Sequence, residues 1–211
     1  ITSHTGHKVM SPKQCCPDDD SKCMSTVYGN LIGETSDCDD TPLAMNTSTR
    51  FDVGRNFANK FWNASRFALM NVTNPADAVD PTTRPAVDQW ILSRVQVATE
   101  RINEAMKSYR FSDISDALYD LLWRDLCDWY LEAIKPTVKD DPEQQRILHT
   151  VLDAMCRLLH PVCPFVTEAM WQHIHASATG CVTGMEMSCS DLAATASWPT
   201  PAMQLDQTEI D

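Results

Sequence analysis

Glycine is scarce, with six in 211 residues, and nowhere is it clustered. A phosphate-cradling loop needs glycines for close backbone approach, so nucleotide-binding loops of that kind are excluded. No apolar run is long enough to cross a bilayer, and no charged-then-apolar signal segment opens the chain, so no membrane partner is expected. Nine cysteines are present, but never as Cys-X-X-Cys. His4, His7, Cys15, Cys16, Cys23 and Cys38 therefore lack the spacing that zinc modules usually use, and no metal ligand is assigned. The odd count, with Cys127, Cys156, Cys163 and Cys181 in or beside helical stretches, fits free thiols packed as small apolar groups. A reducing, cytoplasmic compartment suits them. Three Asn-X-Ser/Thr sequons, at Asn46, Asn63 and Asn71, would suit a secreted chain instead. Asn63 stands inside an amphipathic helical pattern, so they are read as chance.

Catalytic constellations are missing too. His149, His160, His173 and His175 have no Ser, Cys or acidic partner at triad-like positions. Asp113, Asp116, Asp120 and Glu132 lie along the outer side of one helix, where a solvated face explains them. No catalytic residue is expected. Positive charge is short as well: the formal net charge is −12, and no Lys or Arg occurs after residue 160. Bulk electrostatics therefore cannot hold a polyanion, and no DNA partner is expected. One strip runs the other way, since residues 50 to 73 carry four basic groups against one acidic group.

What is present is helical periodicity. A chain of this length can bury one domain of roughly 100 to 150 residues with flanking segments. Residues 1 to 49 are polar and read as strand fragments, loop and an unassigned insertion. Residues 50 to 176 read as an all-α antiparallel bundle of four long helices plus a shorter fifth. Residues 177 to 211 read as an irregular acidic tail with room for one strand before Trp198.

The first helix is expected from about Asp52, as N-cap, to Asn71. The second starts at Pro85 and runs to Tyr109. The third starts at a Ser112 cap and is stopped by Pro136. The fourth opens on Asp141-Pro142-Glu143, which supplies an N-cap, a first-position proline and acid in the first turn. Pro161 breaks the fourth helix, and Pro164 starts the fifth, to about His175.

On the first helix, Val53, Phe57, Phe61, Ala64 and Ala68 fall on one core-facing stripe. The next strip carries Asn56, Lys60, Asn63 and Phe67. Two amides, a cation and a ring at such spacing can bond base edges, neutralise a phosphate and stack a base, as proteins that read unpaired RNA do. A solvated face with one exposed Phe is the other reading of the same strip. Trp62, Trp90, Trp123 and Trp129 are assigned to packing. Leu131 falls away from the apolar flank of the third helix, as a surface residue or as part of a binding face.

The stretch Gly54-Arg55-Asn56-Phe57-Ala58-Asn59-Lys60-Phe61-Trp62-Asn63-Ala64-Ser65-Arg66-Phe67 resembles the first helix of the anticodon-binding domain of the valyl-tRNA synthetases, class I aminoacyl-tRNA synthetases. Asp88-Gln89-Trp90-Ile91-Leu92-Ser93-Arg94 resembles the opening of the second helix of that domain. Cys127-Asp128-Trp129-Tyr130-Leu131-Glu132 with Lys135-Pro136 resembles the end of the third. Leu158-Leu159-His160-Pro161, Pro164-Phe165 and Trp198-Pro199 follow in the same order. His4-Thr5-Gly6-His7 and Lys8-Val9-Met10-Ser11-Pro12-Lys13 imitate the two ATP-site signatures of the class. They are too close together to belong to a nucleotide-binding fold, and are read as coincidence.

The resemblance implies a domain that catalyses nothing and holds a tRNA anticodon loop, preceded in residues 1 to 49 by the end of the connection from the catalytic domain, which the first dozen residues resemble less specifically, and by the unassigned insertion. Its parent would activate valine with ATP and Mg2+ and esterify it to a tRNA, and the present chain alone would be inactive and monomeric. Carried over by position, the resemblance implies that Phe67 stacks on an anticodon base and that Lys60, Asn63 and Arg66 contact the loop. Leu131 and Glu132 are implied at the middle base. Arg66 points about 100° away from Phe67, so it either binds phosphate from the side or pairs with an acid. Losing Phe67 is expected to harm discrimination more than folding. The alternatives are the related domain of an isoleucyl- or leucyl-type synthetase, and a helical module that binds protein through Phe67 and Leu131.

Overall fold

The computed structural model describes residues 13–16, 19–26, 43–44, 49–175 and 180–202. The His4–His7 motif and most of the lysine-rich echo after it lie outside the described residues. Two units are resolved, 1–56 and 57–211. In the first, β1 (Lys13–Cys16) pairs antiparallel with β2 (Asp19–Thr26), and β2 pairs parallel with β3 (Leu43–Ala44).

Helix α1 (Thr49–Asn71) starts three residues before Asp52, which therefore sits in the first turn instead of capping it, and pairs with Arg55 at 2.9 Å. Val53, expected in the core, is exposed; the buried stripe begins with Phe61, Ala64 and Ala68. At the exit of α1, the Asn71 side-chain amide donates to the Phe67 carbonyl. Gln145 Oε1 accepts from the backbone N–H groups of Thr73 and Asn74. The Gln145 bonds satisfy two backbone donors of the loop that follows α1 and tie it to the fourth helix.

Helix α2 (Ala86–Lys107) follows Pro85. A three-residue link then reverses the chain into a third helix, α3, built from Phe111–Tyr119, a π-helical stretch Asp120–Tyr130 and a last turn Leu131–Ile134. The link closes with Tyr109 N–H on the Met106 carbonyl and Arg110 N–H on the Ala105 carbonyl, a Schellman pattern. Tyr109 occupies its left-handed position, with φ at 55°, where a Cβ is disfavoured. Its ring is exposed and contributes no core packing. Tyr109→Gly is therefore expected to stabilise the fold by about 1 kcal/mol in urea denaturation; a loss of stability would show that the exposed ring is doing something else.

Helix α4 (Pro142–Leu159) begins as expected, with Asp141 accepting from Gln144 N–H at 2.9 Å. Helix α5 (Pro164–His175) begins on its proline. The architecture is the expected all-α bundle. Two further short strands, β4 (Ala78–Val79) and β5 (Cys181–Val182), pair parallel on it.

Residues 180–202 are not a loose tail. All of α4 from Gln144 to Leu159 is buried, polar residues included. The segment covers the face of α4 that would otherwise meet water. Asp153 accepts from Arg157, from His175 Nε2 at 2.9 Å and from Ser188 N–H at 3.3 Å. Arg157 also donates to the carbonyls of Ser197 and Glu186. Trp171 and Trp198 donate their indole N–H groups to Ser190 O and Asn103 Oδ1. Gly180 has no room for a side chain, because a Cβ there would lie 2.3 Å from the buried Arg146 guanidinium carbon. The two-residue strand β5 follows this glycine at 181–182, within the stretch before Trp198.

A second buried network sets the tip of α3. Asp88, fully buried, accepts from the Tyr130 hydroxyl at 2.9 Å, from Gln144 Nε2 at 3.0 Å and from Arg84. Arg84 also pairs with Asp141 and Glu143. Burial and the neighbouring Asp88 charge push the Tyr130 phenol well up, so it stays a donor. Tyr130 is thereby fixed, and with it the residues on either side.

Candidate nucleic-acid interface

Burial of Phe61, Ala64 and Ala68 fixes the rotation of α1 and leaves the next strip at the surface. Asn63 and Arg66 are exposed, Phe67 is half-buried against the core, and Lys60 is half-buried. Asn56, in the first unit, is exposed. Of the two readings of Arg66, pairing with an acid finds no partner among the described residues.

Lys60 is engaged. Its Nζ donates to Asp128 Oδ1 at 3.1 Å and lies 4.8 Å from the centre of the Trp123 ring. Trp123 stacks on Tyr119 at 5.4 Å, and Tyr119 on Phe57 at 6.1 Å. The pile of rings links α1 to α3 and gives the lysine a fixed seat. At the other end of the strip Lys135 Nζ lies 5.8 Å from the Phe67 ring centre and pairs with Glu132. Lys60, Asn63 and Phe67 on α1 thus run beside Asp128 and Glu132 on α3 and Lys135 just past its end.

Leu131 requires a correction. It is 6% exposed and belongs to the core, so it is neither a surface residue nor an open binding face. The π-helical stretch explains this. Leu131 N–H bonds Leu126 O, five residues back, so each residue turns through less than the α-helical angle and the faces drift round the axis. The same drift brings Trp129, assigned to packing, out to 69% exposure. Trp62 is exposed as well, whereas Trp90 packs partly against the core. Only the hydrogen-bond period of α3 could have signalled the exchange of Leu131 for Trp129, and hydrophobic spacing does not report it. Glu132 is exposed, as a contact residue must be.

Every acid of α3 from Asp120 to Glu132 has a basic partner. Asp120 faces Arg101 and Arg124, Asp125 faces Arg94 at 2.8 Å, Asp128 faces Lys60, and Glu132 faces Lys135. Burial pushes the Asp125 carboxyl up against the pull of Arg94. Burial likewise raises the Cys127 thiol to about 11 although Lys60 is near, so it is not a nucleophile at neutral pH. Among the described residues no group of His, Cys, Asp and Glu could hold a metal ion. The arrangement is equipped to bind through amides, a ring and exchangeable cations.

Residues 88–211 match the family described as the anticodon-binding domain of tRNA ligase. The chain belongs to this family. The anticodon-binding match includes Asp128, Glu132 and Lys135, while α1 precedes it. A valine–tRNA ligase of Rhodopirellula baltica is 36% identical over 162 residues, 75% of this chain and 16% of that protein. Those of Thermotoga maritima and Halalkalibacterium halodurans are 43% and 44% identical over 126 residues, covering 59% and 56% of this chain and 14% of each relative. The chain thus spans about a sixth of the length of the curated relatives it matches. Among the described residues no helix is long and apolar enough to cross a membrane.

Proposed function

We propose that the chain is the anticodon-reading domain of a valine–tRNA ligase and acts as a monomer in the cytoplasm. The supporting observation is the α1 strip, with Asn63 and Arg66 exposed at the surface and Phe67 half-buried, in a chain of the anticodon-binding family. Asn63 bonds base edges. Phe67 stacks a base, Arg66 and Lys60 meet phosphates, and Glu132 accepts from an exocyclic amine. Leu131, buried in the core, is left out of the contact set. Activation of valine with ATP and Mg2+, and transfer to the tRNA, belong to the remainder of the parent enzyme.

The test uses the intact ligase. Asn63→Ala and Arg66→Ala should raise KM for the tRNA and leave ATP-dependent valine activation unchanged. Equal losses in both steps would place these residues in the fold or in the chemistry instead.

A further inference from the structure

The cation in the middle of the strip is not free for a phosphate to take. Lys60 is held by Asp128 on one side and by the Trp123 ring on the other, and the Phe57–Tyr119–Trp123 pile keeps that seat in place. Asp128 is about half exposed, so an incoming polyanion meets its carboxylate as well as the lysine. We propose that Asp128 is a specificity-determining residue, which masks Lys60 against RNA that offers phosphate alone and yields it only to a loop that also engages Asn63 and Phe67. The inference rests on the assignment of this strip to RNA.

A phosphate that takes Lys60 must replace an existing carboxylate partner, so one anion is traded for another and little is gained. A free lysine would release a counterion and attract any nucleic acid. A loop that stacks a base on Phe67 and bonds Asn63 has further favourable contacts with which to complete the exchange. Once displaced, the half-exposed Asp128 carboxylate faces the phosphate that displaced it, and only a base N–H from a loop seated on Asn63 and Phe67 relieves that repulsion. RNA that offers phosphate alone has no such donor, so affinity for wrong partners is lowered more than affinity for the right one. The same device is repeated at Glu132–Lys135, beside the Phe67 ring, and the net charge of −12 works in the same direction at longer range.

The experiment is titration of the full 211-residue chain with two RNA hairpins by fluorescence anisotropy. One carries the valine anticodon loop and the other a scrambled loop of the same length. Asp128→Asn should tighten the scrambled hairpin by roughly three- to tenfold and the valine hairpin by no more than about twofold. The slope of log K against log salt should steepen by about 0.7 for the scrambled RNA, the increment for one added single-strand phosphate contact. Asp128→Glu, which keeps the charge, should retain the wild-type ratio, and the thermal midpoint shows that each variant is folded.

An unchanged ratio between the hairpins in Asp128→Asn, or weaker binding of both, would overturn the role given to Asp128. If the wild-type chain still binds in a Phe67-dependent way, the assignment of the strip to RNA survives that result. If neither protein distinguishes the hairpins and Phe67 is immaterial, both inferences fall.

Discussion

Phe67→Ala should weaken binding of the valine anticodon loop by roughly 5- to 150-fold, the value of one base stacked on an aromatic ring. The ring is not wholly free, because it is half-buried, packs against the core and has Lys135 close to its face. The sequence alone predicts a thermal midpoint close to wild type for this variant. Half-burial instead assigns it about 1 to 2 kcal/mol, below the 3 to 5 kcal/mol of a fully buried Phe. Phe67→Leu separates the two roles, since it keeps most of the apolar volume and removes the π face. The leucine variant should stay near the wild-type thermal midpoint and still lose most of the affinity. A leucine variant that binds like wild type would show that Phe67 contributes packing and not stacking.

Asp153→Ala should have the largest effect on stability, roughly 3 to 5 kcal/mol in urea denaturation. The Asp153 side chain is fully buried and is the charge partner of Arg157, which is nearly as buried. Removing it leaves a guanidinium in the interior with backbone carbonyls as its hydrogen-bond partners, and Arg157 Nε already lacks a partner among the described residues. It also releases His175 and the Ser188 N–H, so α5 and the 180–202 segment loosen together. A loss under about 1 kcal/mol would mean that the carbonyls alone compensate the charge.

What could be read in the sequence follows from which signals are local. The Asp141-Pro142-Glu143 start of α4 and the Pro164 start of α5 were legible because caps and prolines act on their own helix. The strip on α1 was legible because Phe61, Ala64 and Ala68 keep an α-helical period and so fix where Lys60, Asn63 and Phe67 stand. Leu131 and Trp129 were exchanged because the period changes within α3, and nothing in the order of side chains reports a bond made five residues back. The burial of Gln145, Arg146, Asp153 and Arg157 was not legible either. Their partners include groups on a segment without any period, and charged residues on a helix ordinarily point to solvent. The pairing of Lys60 with Asp128 joins residues 68 apart in the chain, a relation only the fold supplies.

The most direct measurement is a binding titration of the full chain with a short RNA hairpin bearing the valine anticodon loop, set against the same hairpin with isoleucine or leucine anticodons, at about 50 and 200 mM salt. The expected result is preference for the valine loop by at least about tenfold, with affinity falling steeply as salt rises. Equal affinity for all the loops, or binding that ignores salt, would contradict the account and favour an apolar protein partner on this face.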